Sequence, residues 1–89
     1  MAWTIEFDPA ARRELGKIDP QDGRRIARFL NERVRPLEDP RSIGEALKGP
    51  SLGEYWKYRV GDYRIIASIE DERIRILIVR IGNRREVYR

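Results

Sequence analysis

The chain has 89 residues, with 19 Lys/Arg, 15 Asp/Glu and a formal net charge of +4 at pH 7. That length supports one modest core, so we predict a single domain over residues 1–89. The sequence has no cysteine and no histidine, which excludes disulfides, thiolate sites and the commonest acid–base residue and metal ligand. It also has no signal peptide and no apolar run near the roughly 18 residues of a membrane span, so we expect a cytoplasmic protein without membrane contact.

The excess positive charge lies in the second part of the chain. Residues 1–54 carry ten Lys/Arg and ten Asp/Glu, whereas residues 55–89 carry nine Lys/Arg and five Asp/Glu. A basic C-terminal part indicates a surface that binds a polyanion. A highly charged, solvated surface explains the same counts equally well.

Two helices are predicted after a short strand at Trp3 to Phe7. Asp8-Pro9 and Asp19-Pro20 each place an aspartate N-cap before a proline, which is typical of a helix start. Apolar residues then recur at helical spacing, and Pro36 ends the second helix. The arginines between them are interspersed with acidic residues and are interpreted as a solvated face rather than a nucleic-acid site. These acidic residues are Glu14, Asp19, Asp22 and Glu32.

The rest of the chain is predicted to form a sheet. Ser42 to Leu47 is read as a helical turn, and strands are expected at about Glu54 to Val60, Tyr63 to Glu70 and Arg73 to Ile81. A short strand is expected near Glu86 to Tyr88, and Asp71-Glu72 is expected to form a hairpin turn. The predicted fold class is α+β, with two N-terminal antiparallel helices packed on one face of a small, mainly antiparallel sheet.

The hairpin around Gly61-Asp62 concentrates more aromatic and cationic residues than any other stretch of the sequence. Glycine supplies the positive φ of a II′ turn, which places Arg59 opposite Arg64 and Lys57 opposite Ile66. Side chains alternate between faces, so the three cations emerge on one side, while Trp56 and Tyr58 belong to the core side. Two opposed arginines destabilise a sheet, which indicates an anion between them.

The cationic face is predicted to be basic at its margins and apolar in its middle. Arg75 lies at one margin as a candidate RNA-binding residue, and the middle holds Ile66, Leu77 and Val79. An open apolar area usually marks a protein partner. At the far end, Gly82 bends the chain, so Arg84 and Arg85 reach the sheet margin beside Tyr88.

These residue types suit RNA cleavage by the adjacent 2′-hydroxyl. The pentacoordinate phosphate gains negative charge, which fixed cations stabilise. Nucleophile–histidine pairs, glycine-rich phosphate loops and histidine or cysteine metal clusters do not occur in the sequence. Any catalysis therefore rests on lysine, arginine, tyrosine and glutamate, and it depends on a substrate held in a reactive geometry.

Nearly the whole chain resembles the RelE toxins of the RelE/ParE superfamily. The resemblance rests on the two helices, on Leu47-Lys48-Gly49, on the segment Tyr58 to Ile65 and on the segment Arg80 to Tyr88. It implies a metal-independent mRNA interferase that needs no cofactor and cuts mRNA in the ribosomal A site. It also implies a RelB-like antitoxin as partner, with operator DNA bound only through the toxin–antitoxin complex.

The resemblance assigns roles to five residues. Arg64 stabilises the phosphate, Lys57 is the candidate base, and Arg59 matches the second cation of that strand. Either Arg84 or Arg85 is the loop arginine that assists the leaving group, and Tyr88 orients or stacks on the substrate; Arg85 is otherwise an RNA contact. Two alternatives remain open, a ParE-like toxin that poisons DNA gyrase without catalysis, and an inert scaffold that serves only antitoxin binding and repression.

Overall fold

The computed structural model describes residues 2–47 and 55–83. Five strands and two α-helices make up the fold in this part of the chain: β1 (Thr4–Phe7), α1 (Pro9–Lys17), α2 (Pro20–Phe29), β2 (Glu45–Ala46), β3 (Tyr55–Val60), β4 (Tyr63–Glu70) and β5 (Arg75–Asn83). The strands form one sheet in the order β1-β5-β4-β3-β2, in which only the β1–β5 pair is parallel. The predicted α+β class is confirmed.

The two helices begin where the Asp-Pro pairs predict. Asp8 accepts a hydrogen bond from the backbone N–H of Ala10 at 3.0 Å, and Asp19 accepts one from Gln21 at 2.8 Å. A proline follows each cap at the start of the helix, where its missing N–H costs nothing. α2 then continues through a π-helical turn, Leu30–Val34, before Pro36.

The core lies between the helices and one face of the sheet. Its helical side is formed by Ala11, Ile26, Leu30 and Val34, and its sheet side mainly by Tyr58, Ile65, Ala67, Ile76, Ile78 and Ile81. The rings of Phe29 and Tyr58 meet edge to face, with centroids 6.1 Å apart. The core therefore fixes the orientation of β3, β4 and β5, because one residue of slip would expose every buried side chain of a strand.

Two local predictions are wrong. The helical turn predicted at residues 42–47 lies earlier, because a 3₁₀ turn spans Pro40–Ile43 and β2 follows it, pairing with β3. The turn after β4 is longer than Asp71-Glu72: a 3₁₀ turn covers Asp71–Arg73, and Ile74 adopts a φ of 50°. β5 consequently begins at Arg75, later than predicted, and extends to Asn83.

Arg41 joins these two turns. It donates hydrogen bonds to the Asp71 carboxylate at 3.1 and 2.6 Å and to Asp39 at 3.3 Å, and its guanidinium lies 5.8 Å from the ring centroid of Trp56. Because β2 directly follows the Arg41 turn, this clamp sets the position of β2 at the edge of the sheet.

The Arg41 clamp predicts a pH-dependent contribution to stability. The hydrogen bonds from Arg41 lower the pKa of Asp71, so the stabilisation is present above the unfolded-state value near 4 and is lost as pH falls through the folded-state pKa. We expect Asp71→Asn to reduce the urea midpoint modestly at neutral pH and to have no effect in strong acid. Glu72→Gln, in the same turn, is the control. An equal effect of Asp71→Asn at both pH values would contradict the prediction.

In the described ranges 2–47 and 55–83, no helix has the length and apolar character needed to cross a membrane.

Candidate active site

The hairpin formed by β3 and β4 has the predicted register. Val60 pairs with Tyr63, Arg59 with Arg64, and Lys57 with Ile66. Gly61 has a φ of 59°, whereas the φ of Asp62 is not positive. A II′ turn requires this combination. Local turn chemistry and core alternation therefore specify the same pairing.

Three cations share the face of this hairpin that points away from the helices. Tyr58 and Val60 are buried on the core side, so the alternating residues Lys57 and Arg59 face the other way. Arg64 is directly opposite Arg59 and therefore lies on the same face. Arg59 is exposed and makes no ion pair with any residue that the structure describes.

Arg64 is buried, with only 6% of its surface exposed. Its Nη1 donates to the backbone carbonyl of Tyr63 at 3.1 Å and, more weakly, to that of Gly61 at 3.5 Å. A guanidinium has five N–H donors in a planar fork, so these bonds leave donors on Nε and Nη2 for an anion. The turn therefore holds Arg64 in one orientation before any ligand binds, which the sequence alone did not indicate.

Lys57 has an acidic neighbour that the sequence analysis missed. Its Nζ lies 3.4 Å from the carboxylate of Glu45, the residue paired with it across β2 and β3. Glu45 is mostly exposed, whereas the Lys57 side chain is largely covered. A two-residue strand has too little alternation to be recognised from sequence, so nothing in the chain indicated this contact.

The middle of the cationic face differs from the prediction. Ile66 is buried, with 6% exposure, rather than part of an open apolar area. A bulge between Ile66 and Ala67 shifts the pairing with β5, so Arg80 rather than Val79 lies opposite Ile66. Arg80 thus joins the neighbourhood of the hairpin cations. Its Nε donates to the Glu14 carboxylate at 3.1 Å.

Arg75 lies far from the hairpin cations. It is paired with Glu70, six residues along β4 from Arg64, a separation of about 20 Å. Its guanidinium contacts Glu70 at 2.9 Å and Glu6 at 2.7 Å, and these hydrogen bonds raise the pKa of Arg75. The structure therefore does not bring Arg75 together with Lys57, Arg59 and Arg64.

Two tyrosines near the hairpin hold their protons strongly. Burial raises the pKa of Tyr58 to about 12, and its hydroxyl donates to the backbone carbonyl of Pro40. Burial, followed by the nearby Asp22 carboxylate, raises the pKa of Tyr63, whose hydroxyl donates to Asp22 at 3.3 Å. Neither is a suitable general base near neutral pH.

The remaining predicted site residues, Arg84, Arg85 and Tyr88, lie outside the described residues, as does the strand predicted near Glu86. β5 ends at Asn83, which pairs with Tyr63, and Gly82 pairs with Arg64. Arg84 is the next residue in the sequence, so the described sheet ends beside the cationic hairpin.

This arrangement can bind a phosphate and stabilise added negative charge on it. Arg59 and Arg64 are opposed across one ladder position, and Lys57 is two residues from Arg59 on the same face. Arginine presents a fork that matches phosphate oxygens, and a preformed cation needs no reorganisation when charge develops. The Glu45 carboxylate beside Lys57 adds a group that can accept a proton.

Comparison by sequence gives a consistent set of relatives. The family described as "ParE toxin of type II toxin-antitoxin system, parDE" matches residues 5–88. The chain is 29% identical to Toxin RelG of Mycobacterium tuberculosis, with 100% of this chain and 99% of the relative aligned. It is also 29% identical to the mRNA interferase toxin RelE of Escherichia coli, with 99% and 92% aligned.

Solved structures share the same architecture. The toxin–antitoxin complex RelBE2 from Mycobacterium tuberculosis matches with a TM-score of 0.84 and 27% identity, covering 94% of this chain and 93% of that chain. The isolated toxin RelE of Escherichia coli matches with a TM-score of 0.73 over 98% and 92% of the two chains. At 21% identity, the latter likeness concerns the fold alone.

Proposed function

Because the chain belongs to the ParE toxin family of type II toxin–antitoxin systems and is a RelE-type toxin of the RelE/ParE superfamily, we propose that it inhibits translation by cutting mRNA in the ribosomal A site. The proposed activity is that of a metal-independent endoribonuclease that needs the ribosome. The relative from Escherichia coli is named an mRNA interferase, which supports this activity over simple binding.

The opposed pair Arg59 and Arg64, with Lys57 beside it, carries this proposal. Like charges directly across a ladder are unfavourable unless an anion lies between them. A scissile phosphodiester supplies that anion, and its charge increases on the way to the transition state, where fixed cations stabilise it most.

The proposed reaction is an internal transesterification. The 2′-oxygen forms a bond to phosphorus while the bond from phosphorus to the 5′-oxygen breaks, giving a 2′,3′-cyclic phosphate and a 5′-hydroxyl. We assign phosphate stabilisation to Arg64 and Arg59, and uptake of the 2′-hydroxyl proton to Lys57 in its neutral amine form. Either Arg84 or Arg85 assists the leaving 5′-oxygen, which takes up a proton.

Two contacts complete the proposed substrate site. Tyr88 orients the substrate or stacks on it, and Arg85, where it does not assist the leaving group, contacts the RNA. The RNA-binding role of Arg75 stays a prediction, because Arg75 would have to release Glu6 and Glu70 to reach a phosphate.

We propose a RelB-like antitoxin as the partner that neutralises this toxin. The similar structure from Mycobacterium tuberculosis is of a toxin–antitoxin complex, which supports such a partner. The ribosome and mRNA are the proposed targets in the cytoplasm, and operator DNA is reached only through the antitoxin complex.

Primer extension on a translated mRNA tests the proposal. We expect new cuts within A-site codons when the purified toxin is added to translating ribosomes, and no cuts in the same mRNA without ribosomes. DNA breaks that depend on gyrase, without mRNA cuts, would support a ParE-like poison instead. If neither appears while the antitoxin still binds, the chain is an inert scaffold and the proposal is wrong.

A further inference from the structure

The exposed side of α2 carries a second group of cations. Arg24, Arg25 and Arg28 are exposed and line a cleft of about 380 Å³ together with Gln21 and Asp22. We call these three residues the α2 arginine patch. None of them forms an ion pair with a residue in the described part of the chain. One helical turn separates Arg24 from Arg28, so their guanidinium groups can reach one surface.

The acidic residues that led us to predict a solvated face here are occupied elsewhere. Glu14 accepts hydrogen bonds from Arg80 and from the backbone N–H of Ile81, where it covers the edge of β5. Asp19 caps α2 by accepting from the backbone N–H of Gln21. Neither carboxylate therefore neutralises the α2 arginine patch.

The remaining two acidic residues do not neutralise it completely. Asp22 borders the cleft, but its Oδ2 accepts from the hydroxyl of Tyr63. Glu32 lies one turn after Arg28 and is exposed, and no ion pair joins the two within residues 2–47. The patch keeps a positive charge of two even when Asp22 is counted against its three arginines.

Arg25 connects the patch to the cationic hairpin. A Cβ placed on Gly61 would lie 3.1 Å from Nη1 of Arg25, so this guanidinium rests against the turn between β3 and β4. Arg59 and Arg64 lie two or three residues from that glycine along the two strands. Cationic side chains therefore lie on both sides of the hairpin tip, where Arg25 shares a small cleft with Asp22 and Asp62.

We propose that the α2 arginine patch binds the phosphodiester backbone of RNA outside the cleaved position. This inference rests on the proposed function, because it extends the same RNA-binding surface. Arginine forks bind phosphate oxygens in pairs, and several such contacts anchor a strand without reading its bases. An acidic protein segment is the less favoured ligand, because the neighbouring hairpin cations are proposed to bind a phosphate.

The double variant Arg24→Gln/Arg28→Gln tests this inference without disturbing the Arg25 contact with the turn. The matched control is Arg12→Gln/Arg13→Gln, which removes the same charge from exposed positions of α1. Binding of each protein is measured by co-sedimentation with ribosomes lacking mRNA, and by anisotropy with a free single-stranded RNA, across a range of salt concentrations. Cleavage and antitoxin affinity are measured separately on the same proteins.

We expect the α2 variant to lose on the order of tenfold in affinity at physiological salt, with a salt slope smaller by about 1.4 to 1.8 for two lost phosphate contacts. The control should lose much less. If the α2 variant loses affinity for ribosomes but not for the free RNA, the ligand is ribosomal RNA. If it also loses affinity for the free single-stranded RNA, the ligand is mRNA.

Three outcomes would overturn the inference: equal losses in both double variants, no loss in the α2 variant, or a loss of antitoxin affinity alone. The proposed function fails independently of this result. Suppose that the wild-type toxin makes no cuts on ribosomes but its RNA binding still depends on α2. Then RNA binding by the α2 arginine patch is supported, and only the proposed nuclease activity is wrong.

Discussion

Replacing Arg64 by alanine should reduce ribosome-dependent mRNA cleavage by about 10² to 10³-fold, the usual effect of removing one preorganised stabiliser of transition-state charge. The reason lies in its placement: Arg64 is buried and its Nη1 is held by the Tyr63 carbonyl, so the guanidinium is oriented before a ligand binds. The measurement is the rate of A-site cutting under single-turnover conditions, together with loss of growth arrest in cells.

Because Arg64 is buried, replacing it by alanine also changes the packing and so the stability of the fold. Thermal unfolding and antitoxin affinity therefore accompany the rate measurement, and Arg64→Lys keeps a charge while losing the fork geometry. Arg73→Gln is the matched control, since it removes a charge from an exposed position in the turn at the far end of β4. A folded Arg64→Ala protein that still cuts at the wild-type rate would exclude Arg64 from catalysis.

Gly61→Ala should destabilise the protein by about 1–3 kcal/mol, because residue 61 has a φ of 59° that a residue with a Cβ adopts only with strain. The added methyl group would also approach Nη1 of Arg25 at 3.1 Å, although that side chain can move aside. Since this turn orients Arg59 and Arg64, we expect cleavage to fall as well. Urea unfolding measures the first effect and the cutting rate the second.

Gly16→Ala is the matched substitution in a helix. Nothing lies within 4 Å of a Cβ at this position of α1, so alanine should stabilise the protein by roughly 0.5–1 kcal/mol through its higher helix propensity. The two glycines thus predict opposite signs for the same chemical change. Equal effects at both positions would show that backbone conformation at Gly61 is not the cause.

The elements governed by short-range chemistry could be predicted from sequence. Asp8 and Asp19 cap the two helices as their Asp-Pro pairs indicated, and Gly61 sets a turn whose register places Arg59 opposite Arg64. Each of these features depends on a few neighbouring residues with strong conformational preferences. The α+β class then follows from the number and spacing of the elements.

The features that depend on distant residues were missed. β2 pairs with β3 directly after a turn that Arg41 ties to Asp71, thirty residues away. Because of the bulge beside Ile66, Arg80 rather than Val79 lies opposite that residue. Arg64 is buried and folds onto its own turn, which alternation along a strand does not reveal. Periodicity describes one segment at a time, and these contacts join several.

The position of β5 in the sheet has a consequence for how this toxin is made. β5 lies between β1 and β4 and is the last of the described strands to be synthesised, yet β1 near the start of the chain pairs with no other strand in the described sheet. Pairing of such distant segments is slow and comes late in folding. A growing chain therefore lacks a complete sheet, and with it the hairpin's place in the proposed RNA-cleaving surface, until β5 has left the ribosome.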